Sequence, residues 1–226
     1  IGDEVFFFRF LKFLEGFDHK FYLECDRRLH QVVSINYPYI NLLDRSENQS
    51  LSQFDYNLPL GDLFSAFHNR LTEIGHPYLR IPIRKEIKSL IKKYHDKELV
   101  GICWRSLNPA YQKQRSVALD RLCNGLNPNK TVLINLQPSF FEQEIEDLKN
   151  LGFSVINEFD NMADINAVLE LISICNKVIT IDSAVVHFAG ALGIDTSLLI
   201  FDDLTWRWGT NLKKSDLYPS VEINRS

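Results

Sequence analysis

The stretch with the most chemical content runs Val178-Ile179-Thr180-Ile181-Asp182-Ser183-Ala184-Val185-Val186-His187-Phe188-Ala189-Gly190-Ala191-Leu192-Gly193. Its β-branched opening reads as a buried strand, and the small-residue run after Asp182 reads as a helix entered directly from that strand. In an open parallel sheet, ligands bind beyond the carboxyl ends of the strands. A helix beginning there turns unpaired N–H groups and a partial positive charge toward the ligand, which suits a phosphate. Ser183 is placed to act as N-cap or hydroxyl donor. His187, four residues on, shares that helix face and is expected to reach a diphosphate or a sugar. Gly190 and Ala191 are expected to let the helix pack closely on the sheet. The same residues admit a structural reading: Asp-Ser before a helix is an ordinary cap, and a lone His on an apolar helix is usually a satisfied core residue.

The elements that must position this turn follow from the hydrophobic pattern. From residue 99 onward, short aliphatic or β-branched runs alternate with segments of helical period, the pattern of βαβ units around a parallel sheet. Strands are predicted at 99–104, 131–136, 154–156, 177–181 and 196–200, with helices at 119–126, 141–151, 163–173 and 184–192. Gly152 and Gly193 stand where helices stop. The first portion predicts a smaller α/β unit, with a helix over 4–14, a strand over 20–24, a helix from Arg27 and a strand near 40–43. Pro77 and Pro82 bracket an extended stretch, 76–83, that reads as a crossover into the second unit, whose first helix is expected over 84–94. The expected division is 1–82 and 83–226. Because Gly2-Asp3 stands immediately before a helix, a further β-strand is expected upstream, which would leave the first unit small and incomplete as given.

Composition narrows the function classes. With 226 residues and 45% hydrophobic content, the chain can bury a substantial core as one large domain or two small ones. A net charge of -4, with basic residues scattered rather than striped, argues against a nucleic-acid partner, which needs clustered Lys and Arg. No stretch reaches the roughly 18 apolar residues of a membrane span. The Phe-rich opening is broken by Glu4, Arg9, Lys12 and Glu15 and reads as an amphipathic helix with a wide buried face. The cysteines, Cys25, Cys103, Cys123 and Cys175, lie far apart, without a CxxC or a neighbouring His at ligand spacing. Buried free thiols in a reducing, cytoplasmic setting are expected, with no metal site and no cofactor.

The run from Asp182 to Gly193 resembles the Asp-Thr-x-x-x-His-(Leu)-Ala-Gly-Ala-Leu-Gly motif of glycosyltransferase family 9, which contains the ADP-heptose:lipopolysaccharide heptosyltransferases. The resemblance is closest to relatives associated with tetratricopeptide repeats. Those relatives also open with Gly-Asp-x-x-x-Phe-x-Arg-(Tyr/Phe), here Gly2-Asp3-Glu4-Val5-Phe6-Phe7-Phe8-Arg9-Phe10. Further islands agree in order: Val100-Gly101-Ile102-Cys103-Trp104 leading to Arg115-Ser116, then Leu136-Gln137, then Trp206-Arg207-Trp208, then Tyr218-Pro219-Ser220. Together they extend over nearly the whole chain.

The resemblance implies an α/β protein of GT-B architecture, two Rossmann-like domains with parallel sheets facing a cleft. It implies a metal-independent, inverting glycosyltransferase that takes a nucleotide-diphosphate sugar as donor. Glycosyl transfer builds positive charge at the anomeric carbon as a diphosphate leaves, so such a site needs donors at the phosphates and a base at the acceptor. In this frame Asp182, Ser183 and Ala184 supply the helix end, while Arg115 matches a basic position near the phosphates and Arg105 is a further candidate. Ser106 would add a donor, and Trp104 and Gln137, at strand ends, would touch base or ribose. Asp3 matches the acidic residue of the first β-to-α turn and is the expected general base, with an N-cap as its rival role. Trp206 and Arg207 are expected beside the nucleotide, although two Trp flanking an Arg equally make a packing staple. Departures from the family pattern are Thr205, Leu217 and Val168. They leave open a catalytically degenerate nucleotide-sugar or partner-binding module, and a sugar-nucleotide epimerase is a third alternative. The Asp202-Asp203 pair has no second ligand cluster beside it and is not read as a metal site. A glycan, a lipid-linked sugar and a protein side chain all remain open as acceptor.

Overall fold

Runs of aliphatic residues covered on both faces make the frame of this molecule. The computed structural model describes residues 1–46, 50–109, 112, 115–200, 206–208 and 213–225. In chain order these form α1 (Gly2–Phe8), β1 (Phe21–Cys25), α2 (His30–Asn36), β2 (Ile40–Asp44), α3 (Asp62–Phe67), α4 (Lys85–Lys93), β3 (Glu98–Cys103) and α5 (Leu119–Leu122). There follow β4 (Thr131–Asn135), α6 (Glu142–Asn150), β5 (Ser154–Ile156), α7 (Ile165–Ser173), β6 (Lys177–Ile181), α8 (Ala184–Leu192), β7 (Thr196–Ile200) and β8 (Val221–Arg225).

The first two strands pair in parallel, Phe21 opposite Ile40, with α2 as their crossover. The other six form one parallel sheet in the order β5-β4-β3-β6-β7-β8. Counted from β3, this is the doubly wound order of dinucleotide-binding folds, and its direction reverses between β3 and β6. The central strands are buried nearly end to end, β4 at all five positions, as two-sided coverage requires. One face of the sheet packs on α5 and α6 through Ile102, Leu133, Ile145 and Leu148. The other face carries α7 and α8, and α1 joins that core through Val5 and Phe8, followed by Phe10 just after the helix. All four cysteines are free and buried. Burial pushes the thiols up, Cys25 and Cys175 to about 12 and Cys103 and Cys123 to about 11.

The predicted stretch 76–83 is extended, and it is tied to α8 because the Tyr78 and Leu79 N–H groups both donate to the Ala191 carbonyl at 3.1 Å. Arg84 then anchors the start of α4 to α7 with Glu170 at 2.8 Å and Asp164 at 2.9 Å. Gly152 (φ 91°) and Gly193 (φ 73°) do stop helices in the left-handed region.

Two expectations need correction, and one strand was not foreseen. The opening helix does not run over 4–14. It ends at Phe8 and the chain resumes as a 3-10 turn, Leu11–Leu14. Arg9 turns inward at the break, its Nε donating to the Phe6 carbonyl at 2.9 Å and so satisfying a helix-end acceptor. Gly190 packs against Tyr218 rather than the sheet, and a Cβ there would overlap that ring. Finally, β8 is an edge strand that buries Val221 and Ile223 and turns Glu222 outward, a half-polar alternation unlike the apolar runs that mark the other strands of this sheet.

Candidate functional site

The ligand edge of the large sheet lies where β3 and β6 end. Immediately after β6, Ser183 caps α8, its Oγ accepting the Val185 N–H at 3.3 Å. Asp182 beside it is held from two sides. Trp208 Nε1 donates to its Oδ1 at 3.0 Å, and Arg115 Nη1 lies 3.3 Å from its Oδ2. Arg115 reaches this point because its neighbour Ser116 forms an antiparallel bridge with Arg105, just after β3. The Ser106 N–H donates to the Arg115 carbonyl at 3.0 Å beside that bridge. A helix N-terminus and a guanidinium thus converge at the switch point, an arrangement suited to a diphosphate.

The opening segment completes the edge. A Cβ on Gly2 would stand 3.2 Å from both Ala184 Cα and His187 Cδ2, so glycine lets α1 start directly against the first turn of α8. Asp3 is thereby carried to the edge in the first turn of α1, where it is not the N-cap. Its carboxylate is 69% exposed and accepts from Arg207 Nη2.

His187 lies behind this edge. It is 4% exposed, stacked on Trp208 at 5.6 Å and edge-on to Phe6, with Nδ1 3.0 Å from the Tyr218 hydroxyl. Burial, and then the charges of Arg207 and Arg9, lower its pKa to about 3, so the imidazole is neutral at ordinary pH. The expectation of an imidazole reaching into the cleft is corrected accordingly: its faces are occupied by aromatic rings.

The loop residues expected to touch base or ribose are occupied elsewhere. Gln137 is fully buried, its Oε1 accepting the N–H groups of Trp104 at 3.1 Å and Arg105 at 3.0 Å while its Nε2 donates to the Arg105 carbonyl at 3.0 Å. Trp104 is 2% exposed and its indole donates to Glu144 at 2.9 Å. The Arg105 guanidinium pairs with Glu144 at 3.1 Å and lies over the Phe141 ring at 5.0 Å. Burial works to raise the Glu144 carboxyl, but hydrogen bonds from Arg105, Trp104 and the Phe141 amide outweigh it and hold the group below its ordinary value. The Ser106 Oγ accepts from the Asn108 N–H at 3.2 Å. These residues set the shape of the loop that carries Arg115. The structure therefore brings together Asp3, Asp182, Ser183, Ala184, Arg115 and Arg207, and places Trp104, Arg105, Ser106, Gln137 and His187 in support of them. The Trp206 side chain lies outside the described residues, as do Asp202, Asp203 and Thr205.

No protein-family model and no curated protein sequence matches the chain. Solved structures share its shape. A glycosyl transferase family 9 protein from Veillonella parvula DSM 2008 superposes with a TM-score of 0.60 at 13% identity, covering 99% of this chain and 83% of that one. E. coli ADP-heptose lps heptosyltransferase II gives 0.56 at 12% identity, over 99% and 86% of the two chains. E. coli heptosyltransferase WaaC with ADP-2-deoxy-2-fluoro heptose gives 0.51 at 11% identity, over 100% and 90%. The fold is that of the GT-B glycosyltransferases.

Within the GT-B frame, several residues important to the edge escaped sequence reasoning. Glu144 is the hub of the Trp104 and Arg105 contacts and also accepts the Phe141 N–H at 2.8 Å, but Phe141 has no capping side chain and nothing in the local sequence points to this role. Trp208 and Tyr218 sit in motifs that are visible in the sequence, yet only the packing shows both rings closing on His187. No helix among the described residues is long and apolar enough to cross a membrane.

Proposed function

We propose that this chain is a metal-independent, inverting glycosyltransferase of family 9, nearest in motif to the relatives associated with tetratricopeptide repeats. The donor is a nucleotide-diphosphate sugar. Its diphosphate lies at the N-terminus of α8, taking N–H groups at Ser183 and Ala184, with Arg115 and Arg207 offsetting the charge that grows as the sugar leaves. Asp3 accepts the proton of the acceptor hydroxyl as its oxygen attacks the anomeric carbon from the face opposite the diphosphate. His187 stays neutral and works through Trp208 and Tyr218, bracing the turn rather than transferring a proton. The first unit, 1–82, contributes the acceptor side and the second, 83–226, the donor side.

One observation carries this reading: the Gly2–Ala184 contact sets an exposed carboxylate, Asp3, beside a helix N-terminus at the switch point of a doubly wound sheet. The test is a titration of the protein with ADP, UDP and GDP sugars, followed by turnover measured on whichever binds. Binding to one class is expected, with Asp3→Ala reducing transfer or donor hydrolysis on the order of 100-fold, as loss of a positioned base does, while affinity stays within about twofold. Failure to bind any of the three would overturn it. A second reading, a nucleotide-sugar-binding module without turnover, draws on the Asp3–Arg207 pair, since Arg207 engages the same carboxylate that must accept the proton. Binding with no turnover across the panel would decide for that module.

A further inference from the structure

Arg9 carries a charge that the proposed reaction does not use, and it is 1% exposed. Among the described residues no carboxylate pairs with it. Its guanidinium is instead boxed by rings, with Cζ 4.4 Å from the Phe6 centroid, 4.4 Å from Tyr218 and 5.1 Å from Tyr78. Nε donates to the Phe6 carbonyl at 2.9 Å and Nη1 to the Leu217 carbonyl at 2.8 Å. The rings of the box are tied to one another and to the site: the Tyr78 hydroxyl donates to the Val5 carbonyl at 2.9 Å, and the Tyr218 hydroxyl lies 3.0 Å from His187 Nδ1.

The Arg9 side chain therefore joins segments that are far apart in sequence: α1, the 76–83 stretch, and the segment before β8. A buried cation is costly unless aromatic faces and carbonyl dipoles replace its hydration. An apolar side chain could fill the same space without that cost. What a forked guanidinium does here is donate from two nitrogens at once, to the Phe6 carbonyl at the end of α1 and to the Leu217 carbonyl, while its Cζ stays within 4.4 Å of the Phe6 and Tyr218 ring centroids. We infer that Arg9 is a positioning residue for the Asp3 edge: it locks α1 onto the C-terminal segment, so that Gly2 seats against Ala184 and Asp3 meets Arg207. This rests on the proposed transfer only for its consequence on turnover. The interlock itself is a property of the fold.

The experiment compares Arg9→Met and Arg9→Lys with the native chain by amide hydrogen exchange, nucleoside-diphosphate titration and steady-state turnover. In Arg9→Met, faster exchange is expected over residues 2–8 and 213–225, with β3, β4 and β6 unchanged. Nucleoside-diphosphate affinity is expected to hold within about twofold, while kcat falls on the order of 100-fold with little change in KM, the cost of about 1 Å of misplacement between reacting groups. Arg9→Lys, which keeps the charge but loses the fork, is expected to lie between, and it carries the test if the Met variant does not fold. Exchange that rises through the whole large sheet, or nowhere, would overturn the interlock. A native chain that binds nucleotide without turnover would instead count against the proposed transfer, and the exchange pattern would still decide the role of Arg9.

Discussion

The turn after β6 is flanked by two regions of opposite character. On the β3–β4 side, Trp104, Arg105 and Gln137 direct their polar atoms into protein: the Gln137 amide clamps two backbone N–H groups and Glu144 gathers an indole and a guanidinium. On the α1 side, Asp3 stands exposed and forms an ion pair that reaches across to Arg207. Both regions carry motif residues at the ligand edge of one sheet, yet the first holds a loop in shape and the second presents a group to solvent. Polar residues near a site are therefore sorted by where their hydrogen bonds go, and residue type alone does not sort them.

The largest effect is expected where that clamp is removed. Gln137→Leu leaves the Trp104 and Arg105 N–H groups without their acceptor, and two unsatisfied buried donors cost roughly 2–5 kcal/mol. Urea unfolding measures it, and a loss under about 1 kcal/mol would show that the loop does not depend on the clamp.

A smaller, pH-dependent effect is expected at His187. Its folded pKa of about 3 lies below the ordinary 6.5, so the unfolded chain binds a proton that the folded chain refuses. The stability that comes from keeping it neutral is complete above about 6.5 and is lost progressively as pH falls toward 3. Stability measured from pH 7 down to 4 is expected to fall more steeply in the native chain than in His187→Phe. Parallel slopes would mean that the imidazole is protonated without unfolding.

The smallest effect on folding belongs to the exposed side. Asp3→Asn removes a pair whose carboxylate is mostly in solvent, so stability is expected to change by less than about 1 kcal/mol. A larger loss in thermal or urea unfolding would place Asp3 with the clamp residues and erase the contrast.

Much of this fold was legible from sequence, for a definite reason. Strands β3, β4, β6 and β7 are aliphatic runs, and α8 is framed by Ser183 and Gly193, whose cap chemistry marks both ends. The turn between β6 and α8 followed from that pattern alone. The edge strand β8 did not, because Glu222 faces out between Val221 and Ile223 and polar residues follow, so no apolar run marks it. The burial of Trp104 and Gln137 was not legible, because a position at a strand end does not say which way the side chain turns, and both turn inward. Arg9 read only as a break in an apolar run, but three aromatic rings receive it, and no local pattern encodes that meeting. Asp3 and Arg207 were each picked out by a motif, whereas their pairing joins opposite ends of the chain and is visible only once α1 is docked on α8.

The most direct measurement is backbone amide NMR of the native chain titrated with a nucleoside diphosphate, beside the same titration of Arg115→Met. Saturable shifts are expected at the Ser183, Ala184 and Val185 amides, and affinity is expected to drop about tenfold or more in the variant, as for loss of a charge-assisted phosphate contact. Shifts confined to other parts of the surface, or equal affinity in both proteins, would contradict a diphosphate at the start of α8.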